Sequence, residues 1–210
     1  RYGSISAGAV SKYSSALAGF DLVNGVYNGD SGGGVEHLTL STRVQNAALT
    51  TMYGRKGTIA VYNYKTGEIL CAVTTPTYDP DNVPDFQADT TGAYKGVYLN
   101  RFLQATYPPG SIYKVVTCAA ALDCVPDIES RTFTCNGKYT YGTEAITCER
   151  AHGTCNLKQA LAVSCNCAMA QLSELVGRKN MQKYVEQFQI NQRIRFDGVA
   201  TAAGNYDISD

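Results

Sequence analysis

Tyr107-Pro108-Pro109-Gly110-Ser111-Ile112-Tyr113-Lys114, running on into Val115-Val116-Thr117-Cys118-Ala119-Ala120-Ala121-Leu122, is the stretch on which the reading of this chain turns. Pro108, Pro109 and Gly110 cannot carry a helix in from upstream. The small and apolar residues from Val115 to Leu122 then read as a buried helix. Ser111 and Lys114 are three apart, which places them one turn from each other on one helical face. A serine hydroxyl is a poor nucleophile until a neighbouring base takes its proton. A lysine desolvated enough to be neutral part of the time can be that base, and a helix N-terminus favours the developing alkoxide. The same four residues also admit a plainer reading, with Ser111 as an N-cap and Lys114 as a solvated first-turn residue.

Ser164-Cys165-Asn166 weighs against the plainer reading. It is the one Ser-x-Asn in the sequence, as Ser111 to Lys114 is the one Ser-x-x-Lys. It lies between two helical patterns, Leu157 to Val163 and Cys167 to Val176. In a non-helical connection, residues two apart can point the same way, so a hydroxyl and an amide can face one cleft. Capping between the two helices is the alternative. Ser-x-x-Lys followed by Ser-x-Asn is the signature of penicillin-binding proteins and class A β-lactamases.

Around these motifs the chain resembles the transpeptidase domain of bacterial penicillin-binding proteins, over about residues 35 to 190. Asn100-Arg101 ahead of Tyr107 to Ser111 is similar to the approach to that family's active serine. Thr58-Ile59-Ala60-Val61, Lys65-Thr66-Gly67-Glu68-Ile69-Leu70 and Pro76-Thr77-Tyr78-Asp79-Pro80 resemble its first strand pair and the loop after it. Leu38 to Ser41 with Val44 to Ala48 resembles the helix ahead of those strands. Cys135, Cys148 and His152-Gly153 resemble the stretch leading to the second motif. The likeness is nearest to the monofunctional, elongation- or division-type proteins.

The resemblance implies an α/β, transpeptidase/β-lactamase-like fold: an antiparallel sheet packed on helices beside a helical subdomain, with the C-terminal strands outside this chain. It implies that Ser111 is the acylated nucleophile, Lys114 its general base, Ser164 a proton-relay hydroxyl and Asn166 a contact for a substrate amide. The reaction implied is D,D-transpeptidation of peptidoglycan stem peptides, with β-lactam antibiotics acylating the same serine. A cell-wall glycosyltransferase is the implied partner. The implied location is the extracytoplasmic face of a bacterial cell membrane, with any anchor upstream. A β-lactamase, a β-lactam sensor and a catalytically inactive cell-wall scaffold are the rival readings.

The family's third motif, Lys-Thr/Ser-Gly, does not follow Asn166 in these 210 residues. Lys65-Thr66-Gly67 lies upstream of Ser111 between two strand-like runs and reads as a hairpin turn without a catalytic role. The chain by itself is therefore expected to be inert towards penicillin, lacking one wall of the cleft.

The eight cysteines stand at 71, 118, 124, 135, 148, 155, 165 and 167. Zinc finds little support in their spacing. Cys165-x-Cys167 is tighter than the usual knuckle, and His152 with Cys155 has no second clear pair. No metal and no cofactor is assigned. An extracytoplasmic location favours disulfides, and Cys135 and Cys148 flank a turn at Asn136-Gly137. A bridge there would close a loop of about 14 residues and contribute roughly 3 kcal/mol. Cys118 and Cys167 read as small buried apolar residues, and connectivity stays open.

Lys plus Arg and Asp plus Glu balance at 18 each, which gives no electrostatic case for nucleic acid or an anionic membrane. No run is long and apolar enough to cross a bilayer, and no signal peptide is visible. The composition, 44% hydrophobic, suffices for a core. Residues 1–34 are rich in Gly, Ser and Ala and read as a lead or linker, with 35–210 as the incomplete N-terminal part of the transpeptidase domain. A helix is expected from Thr42 to Tyr53, with Val44, Ala47, Ala48 and Met52 on one side, and a hairpin over 58–74. Pro76 to Pro109 reads as a long loop. The nucleophile helix spans 111–122, and three further helices lie near 157–163, 167–176 and 178–188. The last carries Met181, Tyr184, Val185 and Phe188 towards the core.

Overall fold

Helix and strand signals in this sequence alternate with short turns, and the computed structural model realises most of them. It describes residues 20–21, 26–27, 37–79, 81–196 and 199–207. Apart from a short ladder of β1 (Phe20–Asp21) with β2 (Val26–Tyr27), the lead read over 1–34 lies outside the described residues. The chain divides into two compact units, Arg1–Thr106 with Arg193–Ala202 and Tyr107–Gln192 with Ala203–Asp210. Every sheet among the described residues is a two-stranded antiparallel ladder.

The first unit is built on a hairpin. β3 (Gly57–Tyr62) and β4 (Ile69–Thr75) pair antiparallel from Gly57 with Thr75 to Tyr62 with Ile69. Lys65-Thr66-Gly67 sits in the connecting turn, where Gly67 has φ 77°. α1 (Thr42–Thr51) covers the hairpin, its start capped by the Ser41 hydroxyl, which accepts from the Val44 N–H. Ala48, Cys71 and Val73 form the small core there, with Val44 and Ile59 against it. Gln45 completes the join: its Oε1 accepts from the Ala72 N–H at 2.9 Å, so a polar helical residue satisfies a strand donor. Ala47, expected on the inner side, is exposed. Val44, Ala48 and Met52 recur every four residues and make the covered stripe, and Ala47 falls at its edge. The long loop after β4 contains one short helix, α2 (Arg101–Gln104), capped by Asn100. β9 (Arg195–Phe196) and β10 (Val199–Ala200) close this unit.

The second unit holds the larger core. A 3-10 turn, Gly110–Tyr113, leads into α3 (Lys114–Cys124). The helical start therefore falls three residues later than the sequence suggests, and Ser111 sits in the tight turn ahead of the α-helix. β5 (Thr132–Cys135) pairs with β8 (Gly153–Asn156), and β6 (Lys138–Tyr141) pairs with β7 (Glu144–Thr147). α4 (Leu157–Ala162) opens on a capping box between Asn156 and Gln159. α5 (Asn166–Gln187) then packs along α3. Small residues make the close approach possible: Ala120, Ala121 and Ala168 are buried, and the Cys118 thiol reaches the Met169 sulphur at 3.9 Å.

The span named α5 is the two helices expected over 167–176 and 178–188, which meet at a sharp kink at Gly177, where φ is 74° and ψ is 157°. Met181, Tyr184 and Val185 are buried as expected, but Phe188 is 48% exposed, because it caps the helix end rather than continuing its face. The Tyr184 hydroxyl donates to the Asp123 carboxylate, tying the end of α5 back to α3.

The Gly177 geometry generates a prediction. Gly→Ala inside a helix ordinarily stabilises by about 1 kcal/mol. At Gly177 the backbone lies where only glycine is at ease, although no atom within 4 Å would meet a Cβ. Gly177→Ala should therefore lower the unfolding free energy by about 1–3 kcal/mol in urea titration. A gain in stability would show that the break is not required.

Candidate active site

The turn that carries Ser164 is made by helix termination. Val163 caps α4, the Ser164 N–H donates to the Leu161 carbonyl at 3.0 Å, and the Cys165 N–H donates to the Ala160 carbonyl at 2.9 Å. This pair of bonds, with Ser164 at φ 54°, is a Schellman motif. Glycine is the usual residue at that left-handed position. Serine costs roughly 1–2 kcal/mol there, so its hydroxyl is placed at the expense of local strain. Cys165 then serves as the N-cap of α5, its sulphur accepting from the Ala168 N–H.

Neither Ser164 nor Asn166 caps a helix with its side chain. The Asn166 carboxamide is held at both ends: Nδ2 donates to the Thr147 carbonyl at 2.9 Å, and Oδ1 accepts from Lys114 at 2.7 Å. Lys114 is 8% exposed. Its Nζ donates to the Ser164 carbonyl at 2.6 Å, to Ser164 Oγ at 2.8 Å and to Asn166 Oδ1 at 2.7 Å. Three acceptors match the three N–H bonds of an ammonium group. The solvated first-turn reading of Lys114 fails on this geometry.

Ser111 completes the chain of contacts. Ser164 Oγ donates to Ser111 Oγ at 3.0 Å, and Ser111 is exposed. Ser111 makes no capping bond, since neither the 3-10 turn nor α3 has a side-chain N-cap. All four residues singled out by the two motifs thus converge within the second unit. The link from Lys114 to Ser111 runs through the Ser164 hydroxyl. The arrangement offers an exposed hydroxyl, a second hydroxyl in contact with it and a buried amine beyond.

Behind Ser164 and Asn166 lies a group of thiols. All eight cysteines are free, so Cys135 and Cys148 do not form a disulfide in this structure. One ligand atom each from Cys135, Cys148, His152 and Cys165 lies within 4.8 Å of the others. Burial raises the Cys135 thiol, but hydrogen bonds from the Gly137 and His152 backbone and from the His152 and Cys165 side chains outweigh it and hold it at about 6. Burial pushes Cys165 and Cys167 up to about 12. Sequence spacing does not reveal this group, because its members come from three separate segments: the end of β5, the connection between β7 and β8, and the N-cap of α5. The one signal in the sequence is the cysteine inside Ser-x-Asn.

Comparison with known proteins follows the same residues. The family model described as penicillin binding protein transpeptidase domain matches residues 57–209. Peptidoglycan D,D-transpeptidase PbpA of Mycolicibacterium smegmatis is 30% identical over 179 residues, covering 76% of this chain and 36% of that protein. The chain therefore spans about a third of that relative's length. The ceftriaxone acyl-enzyme complex of penicillin-binding protein A from M. tuberculosis aligns with TM-score 0.79 and 27% identity, over 96% of this chain and 51% of that one. The D,D-transpeptidase domain of a peptidoglycan glycosyltransferase from Eggerthella lenta aligns with TM-score 0.70 and 30% identity, over 87% and 44%.

The strained turn can be tested directly. Ser164→Ala and Ser164→Gly both delete the hydroxyl, so their difference isolates the backbone. Ser164→Gly should be the more stable of the two by about 1 kcal/mol in urea titration. Equal stabilities would mean that the left-handed conformation is not retained in solution.

Proposed function

The chain belongs to the penicillin-binding protein transpeptidase domain family, and on that premise we propose that it carries the acylation site of a peptidoglycan D,D-transpeptidase, with Ser111 as nucleophile. The observation that supports this most is the continuous contact from Ser111 Oγ to Ser164 Oγ to Lys114 Nζ, with Asn166 holding the lysine from the other side. In this reading Ser111 Oγ attacks the carbonyl carbon between the two terminal D-alanines of a stem peptide. For this step Lys114 first gives up the proton that makes it an ammonium donor; as the neutral amine it takes the Ser164 proton while Ser164 Oγ takes that of Ser111, both hydroxyls being turned the opposite way from the contacts described above. The carbon–nitrogen bond then breaks, and the proton goes to the departing D-Ala amine. An amine from a neighbouring stem attacks the ester, forms the crosslink and regenerates Ser111. A β-lactam presents its strained amide to the same hydroxyl, and its leaving group stays tethered.

Asn166 in this scheme orients Lys114 and presents its amide edge to the substrate backbone. The substrate places the enzyme on the extracytoplasmic face of the cell membrane. We propose that a segment outside these residues anchors it there, beside a cell-wall glycosyltransferase that supplies the strands to be joined. No described helix is long and apolar enough to cross a membrane. The assignment of 35–210 to one catalytic domain belongs to this proposal.

Incubating the full-length protein with a penicillin and mapping the adduct by mass spectrometry should find it on Ser111. Ser111→Ala should abolish labelling. An adduct elsewhere, or none in a folded protein, would overturn the assignment, and rapid hydrolysis of the adduct would favour a β-lactamase.

Lys114→Arg keeps a charge but cannot act as a base at neutral pH. It should slow acylation by about 10² to 10⁴-fold, the usual contribution of a positioned base. Near-normal acylation by that variant would remove Lys114 from the proton path.

A further inference from the structure

We propose that Cys135, Cys148, His152 and Cys165 form a structural zinc site that fastens the Ser164-Cys165-Asn166 turn to the strands beneath it. The four residues come from three segments: Cys135 from the end of β5, Cys148 and His152 from the two ends of the connection between β7 and β8, and Cys165 from the N-cap of α5. Backbone bonds fix three of them relative to one another. The Cys148 N–H donates to the Gly137 carbonyl at 2.9 Å, and the His152 N–H donates to the Cys135 carbonyl at 3.2 Å.

The spacing of the donor atoms suits one tetrahedral ion. With zinc–sulphur bonds of about 2.3 Å, the sulphurs on a tetrahedron stand about 3.8 Å apart, and a sulphur–nitrogen edge is slightly shorter. Cys148 Sγ and Cys165 Sγ are 3.8 Å apart, and Cys135 Sγ lies 3.6 Å from His152 Nδ1. Three thiolates and one imidazole are a donor set that selects zinc over hard cations.

The surroundings fit a metal-bound thiolate cluster as well. Cys135 and Cys165 are buried. Cys165 Sγ accepts from the Ala168 N–H at 3.3 Å, and Cys148 Sγ accepts from the Cys167 N–H at 3.4 Å. Such N–H groups orient thiolates and stabilise their charge. Cys165 also stands at the N-terminus of the helix that runs from Asn166 to the kink at Gly177, where negative charge is favoured. Cys167 lies 3.5 Å from Cys148, but its own thiol turns to the Ile146 carbonyl. It is a neighbour of the site rather than a ligand. On binding, each thiol gives its proton to solvent and its sulphur lone pair to the ion, with no change in oxidation state.

This inference depends on the thiol geometry and not on the catalytic reading, so its test uses no acylation readout. The full-length protein, purified with reductant and without chelator, is measured by inductively coupled plasma mass spectrometry. One zinc per chain is expected. Cys148→Ser and His152→Ala should lose most of it, while Cys167→Ser and Cys155→Ser should keep it. Replacement by cobalt(II) should give the intense d–d absorption of a tetrahedral site together with sulphur-to-cobalt charge transfer. If the ligand variants do not fold, chelation of the unaltered protein replaces them, with a fall in melting temperature that added zinc reverses. Absence of zinc from folded protein, full occupancy in Cys148→Ser, or a Cys135–Cys148 disulfide in a non-reducing peptide map would each overturn the site.

Discussion

The burial of one ammonium group organises the second unit. Taking Lys114 out of water is costly unless every N–H finds an acceptor. The chain supplies all three acceptors from a single turn fifty residues away: the Ser164 carbonyl, the Ser164 hydroxyl and the Asn166 carboxamide. Because the lysine opens α3 and the turn opens α5, satisfying the charge also sets how these two helices meet. Small side chains at Ala120, Ala121 and Ala168 let them come close enough. Packing and charge satisfaction thus demand the same geometry, and Ser111 is brought against Ser164 as a consequence.

The turn itself is not relaxed. A left-handed serine stands where a helix end would accept glycine at less cost. Strain of this kind persists when surrounding structure over-determines it. Here the Asn156–Gln159 capping box fixes the start of α4, Ala160 and Leu161 close the Schellman bonds, and the Cys165 sulphur caps α5. Asn166 adds a tie to the Thr147 carbonyl, and Gln171 donates to the Thr134 carbonyl one turn further along α5. The motif is therefore clamped from the helices on both sides and from the strand ladders below. A preorganised hydroxyl pair is what an acylation step requires, since positioning contributes before chemistry begins.

The first unit follows a different logic. Its core is small, and polar bonds make up the shortfall. Gln45 meets a strand N–H, and the Thr75 hydroxyl donates to the Arg55 carbonyl at 2.6 Å. Tyr78, Phe86, Tyr94 and Tyr98 form edge-to-face contacts that give the long loop an aromatic centre without regular structure. Such a loop shows no periodicity to read, which is why the sequence yields only its proline boundaries.

The amino-acid sequence determined what is local. The breakers at Pro108 to Gly110, the alternation across residues 57–75 and the apolar spacing within 166–176 and 178–187 each belong to one segment, and a period or a turn residue suffices to read them. The residue types of the candidate site were legible for the same reason, since Ser-x-x-Lys and Ser-x-Asn each fit within one turn. Tertiary structure decided what crosses segments. It put Ser111 in a 3-10 turn, routed its contact with Lys114 through Ser164, left Ala47 and Phe188 in solvent, and gathered Cys135, Cys148, His152 and Cys165 from three segments. The physical reason is that a hydrogen bond to a buried charge or a donor atom within ångströms of another depends on distance through space, which pattern along the chain does not encode.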